Sequence, residues 1–189
     1  MHPACQPIEM LQSECRILTG RRSGPGGQNR NKVETAVRLQ HLPSGITAEA
    51  SERRSQGQNR MVAQFRLRLR LAIEYRSSWA VDESIRLANC HASDEKPSGQ
   101  TDDVPAKISE LMQQRIRAGR LQVSAQHQDF PAILAEAMDH LLATGWDYRV
   151  AAMRLNVSSS QFAKLLRAYP PALLAVNQHR AALGLPVIK

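Results

Sequence analysis

Ten consecutive residues, Ser23-Gly24-Pro25-Gly26-Gly27-Gln28-Asn29-Arg30-Asn31-Lys32, place three glycines, a proline and a glutamine among cations. Glycine lacks the Cβ that penalises positive φ, so a Gly-Pro-Gly-Gly run holds backbone shapes with exposed N–H groups that other residues adopt only under strain. Arg21, Arg22, Arg30 and Lys32 surround that bare backbone with charges suited to phosphate. The pattern predicts a loop that reaches an anionic partner. By itself it is also the pattern of a plain turn or a phosphate nest, and it is not a nucleotide P-loop, because no Gly-Lys-Ser/Thr follows.

The elements that must position this loop are legible on both sides of it. Residues 14–19 read as a short strand leading in. Behind the loop, Thr35 to Leu42 places Val37 and Leu39 on one face, and Ile46 to Ala50 alternates again after Pro43-Ser44-Gly45, which predicts a hairpin. Residues 58–79 contain no glycine or proline. Their Phe65-Arg66-Leu67-Arg68-Leu69-Arg70-Leu71 run alternates like a strand, but length and richness in Gln, Met, Ala, Leu and Arg predict a helix with Val62, Phe65, Leu69, Ala72 and Ile73 inward. Leu67 and Leu71 fall off that stripe, which implies a second covered surface. Arg66, Arg68 and Arg70 read as a solvated helix face. Residues 1–13 show no period and are expected to form a loose N-terminal arm.

The 189 residues carry a formal charge of +8, concentrated in the glycine-rich half: residues 1–80 hold 13 Lys+Arg against 6 Asp+Glu, whereas residues 81–189 hold 12 against 11. Arginine supplies 20 of the 25 cations, which suits bidentate phosphate contacts. Cys5, Cys15 and Cys90 form no C-x-x-C pair and have no matching histidine spacing, so neither a metal site nor a disulfide framework is expected, nor any cofactor. No leader pattern and no apolar run of membrane-spanning length is present, and a cytoplasmic location with no membrane partner is expected. His41, His91, His127, His140 and His179 are scattered and read as structural or solvated.

Residues 93–105, acidic and polar around Pro97-Ser98-Gly99, read as a linker. Beyond it, helices are expected over residues 108–118 and 130–144, the second stopped by Gly145. Asp147 is expected to cap a helix to Leu155, Ser158 another to Arg167, and residues 172–182 a last one. The segment 130–167 resembles a helix-turn-helix with Trp146, Ala151, Ala152, Leu155, Val157, Phe162 and Leu166 as core. Its second helix would present Ser159, Ser160, Gln161, Lys164 and Arg167. Residues 129–189 hold 6 Lys+Arg against 4 Asp+Glu, a near-neutral balance that favours a bundle packing on protein over one docking on nucleic acid.

One ordered set of residues ties the first half together: Gly26-Gly27-Gln28, Asn31-Lys32, Ala36-Val37-Arg38, Pro43-Ser44-Gly45-Ile46, Arg54-Ser55-Gln56 and Asn59-Arg60. This set resembles the catalytic domain of bacterial class I peptide-chain release factors over roughly residues 14–79. The resemblance implies hydrolysis of the ester of peptidyl-tRNA in the ribosome's peptidyl transferase centre, with catalytic Gly26, Gly27 and Gln28. It also implies ribosomal RNA contacts by Arg21, Arg22, Arg30, Lys32, Arg53, Arg54 and Arg60, and loop support by Ser23, Gly24, Pro25, Asn31, Ser55 and Gln56. Ser55 and Gln56 are equally read as a helix cap and its first turn. Gln28 is no general base, since its amide exchanges no proton near neutrality, so the nucleophile must be a placed water. In the family a backbone N–H at this position stabilises the oxyanion, and the glutamine is a target for a methyltransferase.

Only 22 residues precede Ser23, so no codon-reading domain is expected before the catalytic stretch. That arrangement resembles the ribosome-rescue hydrolases, which act without a stop codon. Residues 81–189 are nearly neutral and read as folded, unlike the basic tail usual in those proteins; the hairpin is the short release-factor type, and Arg30 stands where valine is common. The expected architecture is α+β: a small mixed sheet bearing the glycine loop, with a packing helix, over residues 14–92, followed by an all-helical domain over residues 106–189. The rival expectation is a non-hydrolytic ribosome- or nucleic-acid-binding protein that recognises through its helices.

Overall fold

The computed structural model describes residues 1–21, 34–92 and 108–189. They form two compact units, Met1–Tyr75 and Arg76–Lys189. The 93–105 linker lies outside the described residues. The compact division falls earlier than that linker, so residues 78–92, grouped above with the first domain, belong to the second unit.

In the first unit a helix α1 (Ile8–Ser13) leads into β1 (Cys15–Gly20), followed by β2 (Ala36–His41), β3 (Thr47–Ala50) and the long helix α2 (Gln56–Glu74). The sheet has the order β1-β2-β3, and both pairings are antiparallel rather than mixed. β1 pairs with β2 from Cys15↔His41 to Gly20↔Ala36. Alternation does what the sequence predicts: Val37, Leu39, Ala48 and Ala50 are buried, and α2 packs over β2 and β3. The hairpin turn needs a left-handed residue, supplied by Gly45 at φ 72°.

Helix wins over strand for residues 56–74, with Leu69 and Ala72 inward and a second surface covered as expected, but the burial is deepest on that second surface. Leu67 and Leu71 are fully buried with Ala63, Leu69 and Ala72, whereas Val62, Phe65 and Ile73 are only half-buried. The reason is that two elements cover α2, the sheet and the N-terminal segment. That segment is not a loose arm. Pro3–Cys5 forms a 3₁₀ turn capped by His2, whose Nδ1 accepts from the Ala4 N–H at 3.0 Å. Ala4 and Leu11 are buried, and the Arg68 guanidinium donates twice to the Ala4 carbonyl, at 3.0 and 2.8 Å. Arg66 and Arg70 are likewise not merely solvated: they donate to the carbonyls of Glu49 and Thr47. Alternate carbonyls of an outer strand turn away from their neighbour, so these two arginines occupy the edge of β3 that would otherwise be open to further pairing. The helix also stops earlier than expected, at Tyr75, and a new one begins at Ser78.

The second unit contains α3 (Ser78–Ala92), α4 (Glu110–Arg115), a two-residue ribbon β4 (Ile116–Arg117) and β5 (Arg120–Leu121), then α5 (Phe130–Leu142), α6 (Tyr148–Arg154), α7 (Ser159–Arg167) and α8 (Pro170–Ala182). It is helical except for the ribbon, which replaces the end of the helix expected over 108–118: Ala118 and Gly119 take φ 48° and 68° and reverse the chain. α5 is buried on nearly every side, from Phe130 to Leu141. The expected helix-turn-helix core is buried throughout. Asp147 caps α6 through the N–H groups of Arg149 and Val150, and Ser158 caps α7 through Gln161. Asn156 turns the corner at φ 55°.

Candidate active site

The glycine stretch itself, with Arg22, Ser23, Gly24, Pro25, Gly26, Gly27, Gln28, Arg30, Asn31 and Lys32, lies outside the described residues. The structure describes the two points between which it is held. The chain leaves at Arg21, just past the last ladder pair Gly20↔Ala36, and returns at Glu34. Glu34 is tied across: its carboxylate accepts from Thr19 Oγ1 at 3.3 Å and lies 3.8 Å from Arg21 Nε.

The return point is anchored from α2. Gln56 Nε2 donates to the Glu34 carbonyl at 3.1 Å. Asn59, with no exposed surface, donates through Nδ2 to the carbonyls of Thr35 at 2.7 Å and Arg53 at 2.9 Å. Its Oδ1 accepts from the Arg53 N–H at 2.9 Å. One buried amide thus joins the base of the glycine segment to the loop that carries Arg53 and Arg54. Ser55 caps α2 by accepting from the Gln58 N–H, while its neighbour Gln56 reaches the segment's base. Asn59 was quoted above only as part of the family pattern; a polar residue on the first turns of a helix, one step off its apolar face, is the sequence signal that could have marked it.

The candidate cations separate into two groups. Arg21, Arg53 and Arg54 are exposed. Arg60 is half-buried, and its Nη2 donates to Gln12 Oε1 at 2.9 Å, linking α2 to α1. Glu52 does not compensate Arg53 and Arg54. Against the upward push of partial burial, hydrogen bonds from its own N–H, from Arg66 and from Ser51, with the Arg66 charge, hold its carboxyl below the usual range. Its ion pair is with Arg66.

The described side chains supply no activated nucleophile. Burial, and then the Glu14 charge, push the Cys15 thiol up to about 11, so it stays protonated near neutrality. Glu14, buried His41 and Ser44 form a chain in which His41 Nε2 meets Glu14 Oε2 at 3.1 Å and Nδ1 meets Ser44 Oγ at 2.7 Å. The Ser44 hydroxyl also accepts from the Ile46 N–H, and the Gly45 N–H donates to the His41 carbonyl. This chain closes the hairpin turn onto the start of β1. An open depression of about 200 Å³ lies beside Thr19, Gly20, Arg21, Ala36 and Arg38, smaller than a typical small-molecule pocket. No group of three His, Cys, Asp or Glu among the described residues has metal-site geometry.

The RF-1 domain family matches residues 4–120, more than half of the chain. The chain belongs to the RF-1 domain family. Over 64 residues it is 52% identical to peptide chain release factor 2 of Paramagnetospirillum magneticum, covering 34% of this chain and 17% of that protein. Peptide chain release factor 1 of Chloroherpeton thalassium and of Chlorobaculum tepidum match at the same identity and length, covering 18% of each. The match therefore spans less than a fifth of these relatives. Within the RF-1 domain match lie the first unit from Ala4 on and, up to residue 120, most of the β4–β5 ribbon; helices α5 to α8 lie beyond it.

Proposed function

We propose that this chain hydrolyses the ester of peptidyl-tRNA on the ribosome, and that it does so without reading a stop codon. The observation that carries the reading is the Asn59 clamp: a fully buried amide makes three hydrogen bonds that tie Thr35, where the chain returns from the Gly26-Gly27-Gln28 stretch, to Arg53. Membership in the RF-1 domain family supplies the chemistry to which such anchoring is suited.

In the proposed reaction a water oxygen attacks the ester carbonyl, the bond to the tRNA ribose oxygen breaks, and that oxygen takes up a proton. The Gln28 backbone N–H donates to the oxyanion, and its side-chain amide orients the water. One preorganised oxyanion donor is worth about 10²–10³ in rate. Arg21, Arg22, Arg30, Lys32, Arg53 and Arg54 meet ribosomal RNA phosphates. Arg60 joins them with less of its guanidinium free, since Gln12 holds one nitrogen. Ser23, Gly24, Pro25, Asn31 and Gln56 support the segment, and Ser55 supports it through the α2 cap. The partners are the peptidyl transferase centre, peptidyl-tRNA and a methyltransferase acting on Gln28; the location is cytoplasmic.

The test is release of labelled peptide from ribosomes carrying peptidyl-tRNA, with the decoding site empty or holding a stop codon. The intact chain is expected to release peptide in both, and Gly27→Ala to do so about 10²–10³ times more slowly. Ribosome binding without release in any condition favours the non-hydrolytic reading, and release confined to stop codons removes codon independence.

A further inference from the structure

Helices α5 to α8 lie beyond the family match, and their near-neutral total charge conceals a segregation. Asp147 is the last acidic residue of the chain; residues 148–189 hold six cations and no carboxylate side chain. The four carboxylates of residues 129–147 are all engaged within the unit. Asp129 pairs with Arg115 at 2.5 Å and lies 3.6 Å from His127. Glu136 accepts from the Ser109 N–H and hydroxyl. Buried Asp139 accepts from the Ser77 N–H at 3.1 Å, and Asp147 caps α6. Of these, only Asp147 also acts on an outer cation, its neighbour Arg149.

Of the six cations, Arg180 is buried and Arg154 pairs with Glu83, while Lys164 and Arg167 are exposed on α7, which packs against β5, and Arg167 also donates to the Lys189 carbonyl. On α7, Ser160, Lys164 and Arg167 follow one another at steps of four and three, which sets them on one stripe, and all three are exposed. On the ribbon, Arg117 and Arg120 are direct cross-strand partners and both exposed. Like charges directly opposite one another destabilise a strand pair. Among the described residues neither arginine, nor Lys164, has an acidic partner that offsets the repulsion.

We propose that α7 and the β4–β5 ribbon form a docking surface for the phosphate backbone of an RNA double helix, a role that goes beyond ester hydrolysis and stands without it. Base reading by a helix in a DNA major groove uses Arg, Asn or Gln near the start of the recognition helix. The start of α7 instead offers Ser159 and Ser160, with Gln161 half-buried. Serine hydroxyls with flanking Lys and Arg are chemistry for phosphates and 2′-hydroxyls, the groups an A-form helix presents, since its major groove is too narrow to read.

The experiment measures binding of the full chain to a labelled RNA duplex of about 16 base pairs and to a DNA duplex of the same sequence, over a salt series. The combined Arg117→Gln, Arg120→Gln and Lys164→Gln variant, whose helical circular dichroism is expected to match the wild type, should bind the RNA at least about tenfold more weakly. Its log–log salt slope should be shallower by about 2, three phosphate contacts having been lost. Unchanged affinity and slope overturn the proposal. So does DNA binding as tight as RNA binding, or a loss of duplex binding that follows Arg53→Gln with Arg54→Gln but not the ribbon and α7 variant. Peptide release need not occur for any of these outcomes, so failure of the hydrolytic reading leaves this one separately decided.

Discussion

The two units bury polar groups for different ends. In Met1–Tyr75 two buried polar side chains fix points beside an outer segment: Asn59 holds Thr35 and Arg53, and His41 locks the hairpin that follows. In Arg76–Lys189 they close the unit's own joints. Arg180, 4% exposed, donates to the carbonyls of Trp146 and Pro186, and so holds the corner after α5, where Trp146 sits at φ 66°. A bulky side chain in that region is strained, and the hydrogen bond from Arg180 together with stacking on His179, centroids 4.2 Å apart, offsets the strain. Asp139 fixes the start of α3 through Ser77. The lesson is that burial of a polar group marks a positional requirement, and what the group touches says whether that requirement is for a site or for the fold.

The strongest way to break this contrast is Asn59→Ala. It leaves the partly buried Arg53 N–H and carbonyl and the Thr35 carbonyl without their partner, each costing up to about 1–3 kcal/mol where water does not replace it. A loss of about 3 kcal/mol in urea unfolding is expected, with peptide release falling in the fraction that remains folded. A variant that unfolds normally and releases peptide at the wild-type rate would remove Asn59 from both roles.

The second test falls on the other unit, where one buried polar atom is not satisfied. His140 Nδ1 has no partner among the described residues, and its ring meets Trp79 edge-on. Burial, and then the Arg154 charge, push the His140 imidazole down to about 4. Below pH 6.5 the unfolded chain therefore binds a proton that the folded chain refuses until about pH 4. Stability is fully present above pH 6.5 and falls with pH at about 1.4 kcal/mol per unit, roughly 3 kcal/mol by pH 4. Denaturant unfolding of His140→Phe across this range should lack that component. Equal pH slopes for the two proteins would show that the imidazole titrates freely.

The smallest expected effect sharpens the role of the arginines on α2. Arg66 and Arg70 are half-exposed, with side-chain exposures of 46% and 47%, so each should contribute less than about 1 kcal/mol to stability. Their joint replacement by glutamine is expected to change unfolding little but to increase association of the protein with itself, measured by light scattering, because it opens the edge of β3. A fall in stability of several kcal/mol with no change in association would make them structural instead.

Legibility in the sequence followed the range of the interaction. The hairpin around Gly45, the caps Asp147 and Ser158, and the helix-turn-helix core were visible because turns, caps and periodicity act over a few residues. The end of α2 was not. No glycine or proline stands at Tyr75, and one hydrogen-bond partner of the adjoining segment, Asp139, lies 62 residues beyond Ser77. The ribbon at 116–121 was hidden by a helical spacing that Ala118 and Gly119 interrupt. The leucines of α2 off its main stripe indicated a second covered surface, but not that the N-terminal segment covers it.

The glycine stretch and its ordered companions were sufficient, as sequence, to place the chain with the release-factor catalytic domains, because that signal lies in residue types at fixed spacing. What only the tertiary structure decided is which polar groups have partners. Arginine and carboxylate counts give a near-neutral helical half, but hydrogen bonds engage Asp129, Glu136 and Asp139 within the unit, while Arg117, Arg120 and Lys164 are exposed. A guanidinium or an amide acquires its role from geometry that joins residues far apart in the chain, and no local spacing encodes that geometry.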